Sequence, residues 1–269
     1  MSEPAALATY TLWRDALAEV DEVFASPPVL DGPVYGCTNC TPEAELRVLG
    51  GDPAEVPDDL LRHFMHEVAG HWDEDQYSVL WRRFIPRALR RWGPDGDDTD
   101  PSDVMGRLGR HGARLADWPV AERAAVERAF RALLHLAVTD RRPYWEITAL
   151  IEGIAHATDA LEPWLDHLAG LTGPEADAGM VRLAFGWATE LLWEELKFTW
   201  WYDGDPQLVA AWLPTLRTRI AAFAAQHPHC KNASDALTAI DALESGTRGP
   251  WLHPYDMRTL GGPALIHQG

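Results

Sequence analysis

Cysteine, basic charge, long apolar runs and strand-like alternation are all scarce in this sequence, and each scarcity excludes something. Three cysteines cannot build the disulfide framework of a small secreted protein. No stretch approaches the roughly 20 apolar residues that a membrane-spanning helix needs. The segment from Met1 to Asp15 lacks both a basic region and an apolar one, so no secretory signal is expected and the cytoplasm is the expected compartment. No run alternates β-branched or aromatic residues with polar ones, which argues against a sheet. G-x-S-x-G, P-loop and G-x-G-x-x-G motifs are missing too, so no catalytic constellation is legible. Lys and Arg number 23 against 41 Asp and Glu, for a formal charge of −18. Such a surface repels a phosphate backbone or an anionic membrane, and it suits a basic partner or a cation.

Aromatic mass and helical periodicity are what the chain has in quantity. Thirteen Trp supply large apolar areas, each with one N–H that needs a partner when buried. Tyr10, Trp13, Leu17, Val20 and Phe24 form one stripe on a helix over about 5–25, which Ser26-Pro27-Pro28 ends. A Pro/Gly-rich connection at 27–40 follows. Thr41-Pro42 then opens a short helix that Gly50-Gly51 stops, and Pro57-Asp58-Asp59 starts another that Gly70 closes. A helix over about 74–92 buries Tyr77, Leu80, Trp81, Phe84 and Leu89, and Pro86 inside it should kink or split it. Further helices are expected near 102–110, 118–138, 143–157, 160–170, 175–202, 206–226 and 232–244. The pattern predicts an all-α protein of about ten helices packed as antiparallel pairs, as a compact bundle or a short HEAT-like α-solenoid. One domain is expected over 1–245, with a possible internal break at the acidic loop 93–101 and an extended or disordered tail over 246–269.

Cys37-Thr-Asn-Cys40, Leu46 to Gly50, Leu60 to Ala69, His71-Trp72 and Arg82-Arg83-Phe84-Ile85-Pro86-Arg87 together form a pattern. In it the chain resembles a group of uncharacterised bacterial helical proteins. They share an early C-x-x-C, an L-x-x-[YF] helix, a Trp before an acidic turn, and a [FL]-[LI]-P-R segment. The stretch from Trp118-Pro119 to Trp212-Leu213 is similar in the order of its helices. The resemblance implies a shared helical fold and no particular activity, and the cluster at 227–230 lies outside it.

Cys37 and Cys40 are the sharpest chemical signal. A C-x-x-C can give two thiolates to one Zn²⁺, or form a redox couple. The strand-then-helix context of a thioredoxin-type motif is missing, which disfavours redox catalysis. His227, His229 and Cys230, in a second loop, are the candidates to complete a zinc site, with His229 and Cys230 as the expected ligands. His63, His66, Glu67 and His71 do not make a zincin helix. His66 and His71 are five residues apart, about 140° around a helix, and Gly70 falls between them. His63 does share a face with His66 or Glu67. Asp95, Asp97, Asp98 and Asp100 read as a solvated acidic loop lacking the Gly and Glu of an EF-hand.

Arg83, Arg87 and Arg90 fall on one helical face, able to grip an anion or partner carboxylate or to pair internally. Trp187, Trp193, Trp200 and Trp201, interleaved with Glu194, fit either core packing or a wall for a small molecule. The leading expectation is a non-catalytic helical binding protein that engages a basic partner. The alternatives are a zinc-binding protein or metalloenzyme using the C-x-x-C, or a small-molecule binder with a Trp-lined pocket.

Overall fold

The computed structural model describes residues 3–94, 96, 101–140, 142–193 and 205–247. Among these the chain forms twelve α-helices: α1 Glu3–Val23, α2 Glu43–Leu49, α3 Asp58–His66, α4 Glu74–Trp92, α5 Pro101–Gly106, α6 Val120–Thr139, α7 Tyr144–Thr158, α8 Glu162–Gly170, α9 Pro174–Leu192, α10 Asp205–Trp212, α11 Arg217–Gln226 and α12 Lys231–Ser245. Short 3₁₀ turns lie at Ala69–His71, Leu115–Asp117 and Leu213–Leu216. The described residues contain no strand, only a lone antiparallel bridge between Gly36 and Trp72. The chain is all-α. None of the described helices is long and apolar enough to cross a membrane.

Two compact units divide the chain. One comprises residues 11–133 and 153–160, the other 1–10, 134–152 and 161–269. Most of the acidic loop at 93–101, the possible internal break, lies outside the described residues.

The first unit is organised around aromatic packing. Phe64, with no exposed surface, meets Trp72, Tyr77, Trp81 and Phe84 at centroid distances of 5.1, 5.9, 5.3 and 5.3 Å. Trp81 continues to Trp92, and Trp92 to Phe130, each at 6.3 Å. Edge-on and tilted contacts of this kind add about 0.5–1.5 kcal/mol per pair beyond the area they bury. Helix α4 starts as its sequence predicts. Asp73 at the N-cap accepts the Gln76 N–H at 3.1 Å, and Glu74 and Asp75 oppose the positive end of the helix dipole. Pro86 does not split α4, which runs unbroken from Glu74 to Trp92. The ring removes one intrahelical donor, and the rest of the ladder holds because nine buried side chains anchor the helix on both sides of it.

One face of α4 holds the loops that precede it. Gln76 is 8% exposed. Its Nε2 donates to the Pro33 carbonyl at 2.9 Å, and its Oε1 accepts the Tyr35 N–H at 2.9 Å. Arg83 donates to the carbonyls of Pro28, at 2.7 Å, and Gly51. Arg87 donates to Pro53 and Val56 carbonyls at 2.8 and 2.6 Å and pairs with Asp58.

The second unit centres on α9, which buries fourteen residues around its whole circumference. Such a helix needs close neighbours. α12 offers a small-residue face of Ala233, Ala236, Ala239 and Ala242 together with Ile240, all buried, and packs on α9. A Cβ at Gly179 would lie 2.4 Å from the Val138 carbonyl oxygen, so glycine there lets the two backbones meet. Gly246, with φ +66°, closes α12, and Thr247 N–H reaches the Ala242 carbonyl at 2.9 Å. The expected helix over 206–226 is two helices, α10 and α11, separated by the 3₁₀ turn that contains Pro214. The expected tail lies outside the described residues from 248 onward.

Candidate metal centre

The site begins with the lone bridge. The Cys37 N–H donates to the His71 carbonyl at 2.7 Å, and the Asp73 N–H to the Tyr35 carbonyl at 3.2 Å, flanking the Gly36–Trp72 pair. Gly36 permits this approach: a Cβ there would stand 3.2 Å from both Leu46 and Trp72 side chains and 3.3 Å from the His71 carbonyl oxygen. From the other side, Trp72 is seated by Phe64, which fixes the position of its neighbour His71. The C-x-x-C segment is a tight turn in which Cys40 and Thr41 N–H groups both reach the Cys37 carbonyl, at 3.1 and 2.9 Å.

These contacts bring one potential ligand atom each from Cys37, Cys40 and His71 to within 4.8 Å of one another. All three side chains are half-buried. The group can hold a metal ion. The Cys37 thiol is pushed below its ordinary pKa, first by the N–H of Cys40, then by that of Asn39 and by the Cys40 thiol. Cys40 is pushed up because its thiol donates to the Cys37 sulfur. The turn is therefore arranged to stabilise a thiolate at Cys37, the form that binds metals.

Glu67 stands behind His71. α3 ends at His66, and Glu67 adopts extended backbone with ψ 147°, so the zincin-like continuation through Gly70 does not form. Its Oε1 lies 2.9 Å from His71 Nδ1, off the line of a hydrogen bond, and its Oε2 lies 3.8 Å from His63 Nε2. The His63 ring nitrogen is 3.1 Å from the hydroxyl of Thr41, the residue that follows Cys40. A row from His71 through Glu67 and His63 thus returns to the cysteine turn.

The expected partners of the cysteines are not in this group. His227, His229 and Cys230 occupy the turn between α11 and α12 in the other unit, where Cys230 N–H bonds the His227 carbonyl at 2.8 Å and the His227 ring lies 4.4 Å from Phe223. Sequence spacing pointed past His71 because it was tested against a helix, whereas a bridge to residue 36 positions it. The one available signal was Gly36 beside the C-x-x-C together with a His-Trp pair just before the N-cap Asp73.

Arg83, Arg87 and Arg90 do not form an anion grip. Arg83 and Arg87 are occupied by loop carbonyls and Asp58, and Arg90 by the Pro86 carbonyl and Asp21. Trp187 is a core residue with no exposed surface, donating from Nε1 to Thr148 Oγ1 at 2.7 Å and packing on Trp212 at 5.7 Å. Trp193 is half-buried just beyond α9. Glu194, Trp200 and Trp201 lie outside the described residues, as do Asp95, Asp97, Asp98 and Asp100.

No protein-family model, no curated protein and no solved structure matches the chain.

Proposed function

We propose that this protein binds Zn²⁺ through the Cys37 and Cys40 sulfurs and one ring nitrogen of His71, with a fourth position left for solvent or an exogenous ligand. The observation that carries the reading is the convergence of three ligand atoms within 4.8 Å. Tetrahedral zinc with Zn–S bonds of about 2.3 Å places sulfurs about 3.8 Å apart, inside the 4.8 Å that bounds the three ligand atoms. Two thiolates with an imidazole make a soft donor set that favours zinc over magnesium or calcium. Three protein ligands on half-buried side chains match an accessible site better than a closed structural one. The basic-partner reading rests on formal charge alone, so the metal reading takes precedence over it.

Elemental analysis of untagged protein tests the proposal. About one zinc per chain is expected in the wild type and in His229→Ala, and its loss in Cys37→Ser/Cys40→Ser and in His71→Ala. Metal content that survives the double cysteine substitution removes the basis for the assignment.

A further inference from the structure

Cys40 has two neighbourhoods. It belongs to the metal-ligand group, and it also lines a groove of about 520 Å³. The groove runs along α2 and α3, walled by Pro42, Glu45 and Val48 on one side and by Leu60 and His63 on the other. Its volume lies within the range of small-molecule sites. The walls are largely aliphatic, and Val48 is 40% exposed. No Lys or Arg lines the groove. Of its two carboxylates, Asp59 shares its charge with Arg62 at 3.7 Å, which leaves Glu45 as the uncompensated one.

We infer that this groove seats a small aliphatic amine whose other end carries a thiol, the thiol taking the metal's fourth position. The inference rests on the metal reading above. Each part of the ligand answers a feature of the site. A metal held by two sulfurs and one nitrogen accepts a soft fourth donor, a short alkyl chain covers the Pro42, Val48 and Leu60 surfaces, and an ammonium faces Glu45. On binding, the thiol sulfur forms the bond to the metal, its proton passes to solvent, and the metal-bound water leaves. No electron is transferred.

The test uses the full chain loaded with Co²⁺, whose absorption reports both the thiolate ligands and the fourth donor. Three probes share one thiol and one chain length: 3-aminopropane-1-thiol, 3-mercaptopropan-1-ol and 3-mercaptopropionate. The amine should bind about threefold more tightly than the alcohol, and the carboxylate about threefold more weakly, the size expected for exposed charge pairs. Glu45→Gln should bring the three affinities together while cobalt uptake stays at the wild-type level. Failure to take up cobalt through Cys37, Cys40 and His71 would overturn the metal reading itself. Normal uptake with equal affinity for the three probes, or a preference that persists in Glu45→Gln, would overturn the groove assignment and leave the metal reading standing.

Discussion

Glu67→Gln is the most informative single change, because two opposing effects meet in that carboxylate. Its charge disfavours ionisation of both thiols, which works against metal binding. It also stands 2.9 Å from His71 Nδ1, off the line of a hydrogen bond in the metal-free site, and a small turn of the ring on metal binding would bring the two into line, orienting the ring and strengthening the other nitrogen as a ligand. The first effect is the smallest of the influences on either cysteine. The second acts through a side chain only 16% exposed, where solvent screens little. Orientation should therefore win. Loss of an outer carboxylate typically costs 10–100-fold in metal affinity, so Glu67→Gln should weaken zinc binding by about 1.4–2.7 kcal/mol. Competition against a chromophoric chelator at pH 7 measures this directly. Glu67→Asp keeps the charge but withdraws it by one methylene, and an intermediate loss is expected. The metal-free variants should melt within a few degrees of the wild type, since Glu67 is not a core group. An affinity within twofold of wild type for Glu67→Gln would refute the reasoning, as would tighter binding, which would mean that the charge on the thiols dominates.

Three other perturbations probe the surroundings. Gln76→Ala strands the Tyr35 N–H and the Pro33 carbonyl, so it should cost about 1–3 kcal/mol in denaturant unfolding and also weaken zinc binding; full stability would show that the amide clamp is dispensable. Gly179→Ala gains about 1 kcal/mol in helix propensity but drives a Cβ to 2.4 Å from the Val138 carbonyl oxygen, and a net loss of about 1–2 kcal/mol is expected, read as a lower urea midpoint with an unchanged slope. Burial lowers the pKa of His156 to about 4, against the opposing pull of Asp103 and Asp159. Between pH 6.5 and 4 the unfolded chain therefore binds more protons at this residue, so its contribution to stability is complete above pH 6.5 and falls as pH drops toward 4. In metal-free protein, His156→Gln should flatten the decline of Tm over that window, and an unchanged pH profile would argue that the ring titrates normally.

Helix existence was legible because punctuation and periodicity agree. α4 spans 74–92 as predicted because an N-cap Asp, a continuous apolar stripe and Gly93 all act within the helix itself. The breakdown at 206–226 has a local cause too: Pro214 interrupts the ladder, and tightening into a 3₁₀ turn resolves it. His71 belongs to a different class of feature. Its spacing from His66 fits no helical ligand pair, and Gly70 falls between them. Its position follows from Phe64 under Trp72 and from a glycine 35 positions earlier, contacts that periodicity does not encode.

The arginine row shows how one sequence fact leaves two readings open for want of its complement. Charge and helical spacing allowed Arg83 and Arg87 either to grip an anion or to pair internally. The stretch from 27 to 57 is rich in proline, and a proline has a carbonyl but no N–H. A loop of that kind cannot satisfy its own acceptors, so a neighbouring element must bring donors. Gln76, Arg83 and Arg87, spaced 7 and 4 along one face of α4, bring them to Pro33, Pro28, Gly51, Pro53 and Val56. A buried or half-buried carbonyl left unpaired costs about 1–3 kcal/mol, so this row matters to the loops more than a free anion would to the row. The same accounting reaches the metal ligands. The turn at Cys37 is held in place by the bridge to Trp72 and by loops that α4 clamps at residues 28, 33 and 35, which makes the donor face of α4 the scaffold of the cysteine site.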